Sequence, residues 1–149
     1  MGKENYTLYD SSRNGIVVYF RGSCFTLALL YWFYQFYEAN YNGFGIQFRY
    51  LTIWGLTGNL IVTGLLFRQT LAKQKEKYFA AVSAVCVLNV LVVFLYWRLY
   101  FIDPKLVNYS GNIVWFQEYY LHLLGPLFLF VDSLLVNRSF RQFKLGIIQ

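Results

Sequence analysis

The sequence predicts an all-α integral membrane protein: a four-helix bundle with its N- and C-termini on the same side. Three observations lead there. Of 149 residues, 58% are hydrophobic and only 13% charged, against about 25% charged in a soluble domain. The apolar residues fall into four runs, each about as long as a helix needs to cross a bilayer. The basic residues gather in alternate connections, as the positive-inside tendency requires of an even number of spans. The whole chain, 1–149, reads as a single transmembrane domain.

Residues 1–13 are a polar lead in which Asp10, Ser11 and Ser12 are plausible N-caps. With that start, and no small-residue cleavage site after the first apolar run, no cleavable signal peptide is expected. Span one is placed at 14–37; its irregularity is Arg21, which shares a seven-residue repeat with Ala28 and Gln35. The Gly- and Asn-rich stretch 38–45 is a turn. Span two is placed at 47–67, with Thr52, Gly55, Asn59 and Thr63 on one face, small and polar as close helix packing favours. Residues 68–77 read as a short basic loop.

Span three, 78–102, is the most uniformly apolar. Ala80 and Ala84 are expected to form a small-xxx-small contact, Asn89 is its one strongly polar interior residue, and Asp103-Pro104 stops it. Residues 103–112 form the outer loop. Span four, 114–136, carries Glu118, His122, Gly125, Leu129 and Asp132 at steps of 4, 3, 4 and 3, one helical stripe. A polar stripe at membrane depth must face protein or water. Pro126 has no N–H to give the carbonyl four residues back, so His122 gains a free acceptor next to an expected kink. Residues 137–149 are a basic, weakly amphipathic tail suited to a membrane surface.

Folding this topology places Thr52 and His122 at similar depth on the outer side, Arg21 beside Asp132 on the inner side, and Glu118 near Arg49 at the outer rim. Asn59 and Asn89 read as interhelical glue. A threonine hydroxyl beside an imidazole is a nucleophile beside a base. From spacing alone, both residues fit packing roles as well. Cys24 and Cys86 sit in apolar segments and read as packing residues, with no disulfide or metal spacing. No cofactor or metal is expected. The net charge of +6 lies in loops and tails, where it suits membrane lipids; no module exists that would bind nucleic acid.

Residues 48–54, Phe-Arg-Tyr-Leu-Thr-Ile-Trp, followed by Gly58-Asn59-Leu60, resemble the opening of a span in the androgen-induced and androgen-dependent TFPI-regulating family of membrane proteins. Residues 121–127, Leu-His-Leu-Leu-Gly-Pro-Leu, then Asp132, resemble that family's His-Pro-acid span. The resemblance covers roughly 16–137. It implies a multi-span fold and hydrolysis of fatty-acid esters by one Thr and one His, which match Thr52 and His122. Family members usually have about six spans, and four are present here. That difference favours an accessory or structural subunit packed against other membrane-protein subunits, in an assembly of the mitochondrial respiratory or ATP-synthase kind. The alternative is an intramembrane threonine hydrolase of lipid esters using Thr52 and His122. The expected setting is an integral multi-pass protein of the mitochondrial inner membrane or an endomembrane.

Overall fold

A computed structural model describes residues 15–38, 50–74, 77–107 and 114–136. Among the described residues four helices are long and apolar enough to cross a membrane: α1 (Gly15–Glu38), α2 (Leu51–Leu71), α3 (Phe79–Ile102) and α4 (Trp115–Val136). Among the described residues there is no strand. The two termini and the tail lie outside the described residues, and with them their orientation.

Helix α2 is the central element and packs against the other three. Its buried residues, Ile53, Gly55, Leu56, Asn59, Val62, Thr63, Leu66, Gln69 and Thr70, cover more than one stripe. Its approach to α1 is set by two glycines. A Cβ on Gly22 would meet the Phe67 ring at 3.1 Å, and one on Gly64 would meet the Phe25 ring at 3.0 Å. Each phenylalanine therefore rests on the other helix's glycine, and the two rings stack with centroids 6.1 Å apart. The apolar core, Val62, Leu66, Val82, Cys86 and Leu129, joins α2, α3 and α4.

Helix α2 runs four residues beyond the predicted end of span two, so Arg68–Leu71 are helical and not loop. Its C-terminus is closed by the Lys73 N–H donating to the Thr70 carbonyl and the Gln74 N–H to the Gln69 carbonyl, both at 3.1 Å. Lys73 takes the left-handed conformation, φ 51°. This is the paired bonding of a Schellman end, with lysine at the position that glycine usually marks.

The predicted Ala80–Ala84 contact does not form: both residues are exposed. Helix α3 instead turns Val82, Cys86, Asn89, Val92 and Tyr96 inward. The Asn89 side-chain amide donates to Asn59 Oδ1 at 2.7 Å, which fixes this rotation and leaves both alanines outside. The exposed Val87, Val90, Leu91 and Phe94 form the face that lipid would cover. Helix α3 ends at Asp103, whose carboxylate accepts the Lys105 N–H at 3.0 Å to open the turn Pro104–Leu106.

Helix α4 is not uniformly α-helical. Two π-helical turns, Tyr120–Leu124 and Asp132–Val136, bracket the α-helical Gly125–Val131. The first adjoins Pro126, and there the Gly125 N–H reaches back five residues to the Tyr120 carbonyl. Widened turns broaden the inward face beyond a 3.6-residue stripe. Gln117, Tyr120, His122, Gly125, Pro126, Leu129, Asp132 and Ser133 are all buried.

Candidate functional site

Polar side chains meet across the bundle in three layers. At the end where α1 begins and α4 finishes, Arg21 grips Asp132 with two bonds, Nε to Oδ2 at 2.7 Å and Nη2 to Oδ1 at 2.8 Å. Its third nitrogen donates to the Thr70 hydroxyl at 2.7 Å. The ion pair is almost fully buried, Arg21 at 2% and Asp132 at 4% exposure. The middle layer is Asn59–Asn89. In the layer at the opposite end the Gln117 amide donates to Gln35 at 2.6 Å, and Thr52 meets His122.

The Thr52 hydroxyl lies 3.2 Å from His122 Nε2. The opposite ring nitrogen, Nδ1, lies 3.1 Å from the Glu118 carbonyl oxygen, one helical turn earlier. A carbonyl can only accept, so Nδ1 carries the hydrogen. In the neutral imidazole Nε2 is then the acceptor, and the Thr52 O–H donates to it. The backbone of α4 thus selects the tautomer in which the imidazole is a base toward Thr52.

Local position explains why this hydroxyl is available. Inside a membrane helix a threonine ordinarily bonds the carbonyl four residues back. Thr26 does so to Gly22, Thr63 to Asn59 and Thr70 to Leu66, at 2.9, 2.6 and 2.8 Å. Thr52 is the second residue of α2, and position 48 precedes the helix. Its hydroxyl turns across to α4 instead.

Helix α3 supplies the floor of the site. The Tyr96 ring stacks flat on the His122 imidazole, centroids 3.5 Å apart and planes 8° from parallel. The Glu118 side chain lies beside the Tyr96 hydroxyl. The carbonyl of His122 that Pro126 cannot serve accepts the Trp97 indole N–H at 3.0 Å. Sequence spacing reveals the free acceptor; the identity of its donor, and the Tyr96 stack, depend on how α3 rotates. Thr70 is missed for a different reason, since the sequence reading places it in a loop. Arg49, the suggested partner of Glu118, lies outside the described residues. Among the described residues no three His, Cys, Asp or Glu side chains converge as metal ligands would, and Cys24 and Cys86 are buried free thiols.

The dyad lies at an aromatic end of the bundle. Tyr50, Trp54, Phe101, Trp115, Phe116 and Tyr119 are exposed around it, and rings of this kind gather where hydrocarbon gives way to headgroups.

No curated protein and no solved structure matches the chain. A family model does, and it spans nearly all of the sequence. It describes the FAR-17a/AIG1-like proteins, and its match runs over residues 14–149. The androgen-dependent TFPI-regulating protein that the two polar spans resemble is a member of that family. With four membrane-length helices and this match, the chain is a multi-pass membrane protein of the FAR-17a/AIG1-like family.

Proposed function

We propose that the protein hydrolyses lipid esters within the membrane, with Thr52 as nucleophile and His122 as general base. One observation carries this: the Thr52 hydroxyl points at an imidazole nitrogen left unprotonated by the Glu118 carbonyl on the far side of the ring. In the first step Thr52 Oγ1 attacks the ester carbonyl carbon while its proton passes to Nε2. The same proton then goes to the departing alcohol, leaving an acyl-threonine. Water, deprotonated by Nε2, attacks that ester, releases the carboxylic acid and restores Thr52. A separation of 3.2 Å is at the long end of hydrogen-bond reach, as is common before substrate binds.

The position suits an amphiphile. Thr52 lies in the first turn of α2, and His122 about 10 Å along α4 from its start. The reacting atoms thus sit just below the aromatic rim, at the depth where the ester of a lipid would lie with its chains in the hydrocarbon. A role as an accessory subunit calls on other features. The exposed apolar faces of α1 and α3 would serve it, but lipid needs the same faces. Helix packing alone does not require a hydroxyl aimed at a tautomer-selected imidazole.

The test uses the full chain in mild detergent, a long-chain fatty-acid ester and a fluorophosphonate probe. Wild type should hydrolyse the ester and take the label on Thr52. His122→Ala should lose the labelling and lower turnover by about 10²–10⁴, the usual worth of a general base, while helix content and thermal midpoint persist. Absence of labelling in folded wild type, or labelling unchanged in His122→Ala, would refute the assignment and favour the subunit role.

A further inference from the structure

Resting on the hydrolase assignment, we infer that Tyr96 is a positioning residue: its ring holds the His122 imidazole in the plane that faces Thr52 and supports the cation formed when Nε2 takes the proton. The geometry has two parts. The bonds at Nδ1 and Nε2 lie on opposite edges of the imidazole. Two edge contacts leave a planar ring free to rock about the line that joins them. A second ring laid flat on its face, 3.5 Å away and 8° from parallel, removes that freedom.

Tyr96 is itself fixed. It is 9% exposed. The Trp97 indole meets its ring edge-on at 5.4 Å, and the Tyr100 ring lies 6.2 Å away at 20°. Its hydroxyl lies beside the side chain of Glu118, the residue whose carbonyl holds Nδ1. Trp97, next in sequence, binds the backbone of His122 from the same helix. Helix α3 therefore holds the histidine by its ring and by its carbonyl.

The second part is electrostatic. Proton transfer from Thr52 converts the imidazole to an imidazolium while it rests on the π face of Tyr96. A cation over an aromatic face is stabilised, and more so away from water. The neutral ground state gains less. The difference lowers the barrier to the step and leaves substrate binding unaffected, so it belongs in kcat and not in KM.

His122 is the sole histidine of the chain, so its imidazole signals in a nuclear magnetic resonance spectrum are unambiguous. In wild type the carbon-bound protons of the ring should be displaced upfield by the Tyr96 ring current. Tyr96→Phe keeps the ring and should keep both that displacement and near-wild-type kcat. Tyr96→Leu should lose the displacement and about tenfold in kcat at unchanged KM, the equivalent of a desolvated cation–π contact. Ordinary histidine shifts in wild type would overturn the inference, and that measurement does not depend on the Leu variant folding. Wild-type kcat in a folded Tyr96→Leu would overturn it as well, as would a fall in Tyr96→Phe equal to that in Tyr96→Leu. A wild-type chain with displaced histidine signals but neither ester hydrolysis nor probe labelling would instead refute the hydrolase assignment, and the catalytic part of this inference with it.

Discussion

Removing the carboxylate of Asp132 should be the most destabilising single change in the half of the bundle where α1 begins. Arg21 is 2% exposed, and its side chain reaches from α1 to both α4 and α2. Its guanidinium is neutralised by two short bonds to Asp132, with a third to Thr70. Asp132→Ala leaves the cation in place without its counter-charge. Breaking a buried pair from one side costs about 3–5 kcal/mol, because the remaining charge stays desolvated. Replacing both partners with apolar residues of similar volume removes the charges together, and that is often neutral or stabilising. Asp132→Ala should thus fall by about 3–5 kcal/mol, while Arg21→Met/Asp132→Leu should return close to wild type. Thr70→Val should cost about 1.5–3 kcal/mol, the range for a bond to a charged group. The assay is denaturation of the purified full chain in mixed micelles, followed by helix content. Two results would refute the reasoning: Asp132→Ala within about 1 kcal/mol of wild type, or a double variant as unstable as the single one.

Gly125→Ala should destabilise by about 1–3 kcal/mol, since its Cβ would lie 3.1 Å from the Tyr120 carbonyl oxygen, a backbone atom that cannot swing aside; the thermal midpoint reports it. Asn89→Ala, which strips Asn59 Oδ1 of its donor, should cost about 0.6–2 kcal/mol in the same micelle titration. For the dyad, Thr52→Ala, His122→Ala and the double variant should lose similar amounts of ester hydrolysis, because nucleophile and base act as one unit. Thr52→Ser should retain part of the activity in that assay.

What the sequence revealed, and what it hid, follows from the physics of each signal. Composition and run length are global properties, so the four spans and the helical class are legible. Periodicity along one helix is also legible: Val17, Arg21, Cys24 and Ala28 are buried on the stripe that Arg21 and Ala28 suggest. Matched depth in an antiparallel bundle suffices to bring Arg21 near Asp132. The end of α2 was hidden because its left-handed position is Lys73 and not glycine. The facing of α3 was hidden because two alanines at a four-residue step look alike on either side of a helix. Only the Asn59–Asn89 bond decides between them. The Tyr96 stack lay beyond reach for the same reason, since it depends on α3's rotation and on a π-helical turn in α4.

Burial and bond length set the proposed dyad apart from the other polar layers. Along α2, Thr52 and Thr70 are about 27 Å apart, close to the full hydrocarbon thickness, with Asn59 about 10 Å below Thr52. The Asn59–Asn89 layer lies at mid-depth, the Arg21–Asp132–Thr70 layer is closed off by packing at 2–4% exposure, and their contacts are short, at 2.6–2.8 Å. A polar group there must be satisfied internally, and these are. Nothing in such a layer needs to open. The dyad lies one turn from the end of α2, beneath a ring of exposed aromatics. Its bond is longer, at 3.2 Å, and Thr52 is only partly buried. On the proposed function, a hydroxyl in that place would exchange its partner for an arriving ester without leaving a charge stranded in hydrocarbon. The bundle thus has short polar contacts in its most buried layers and a longer one at the dyad, where the proposed hydrolysis requires an ester to enter.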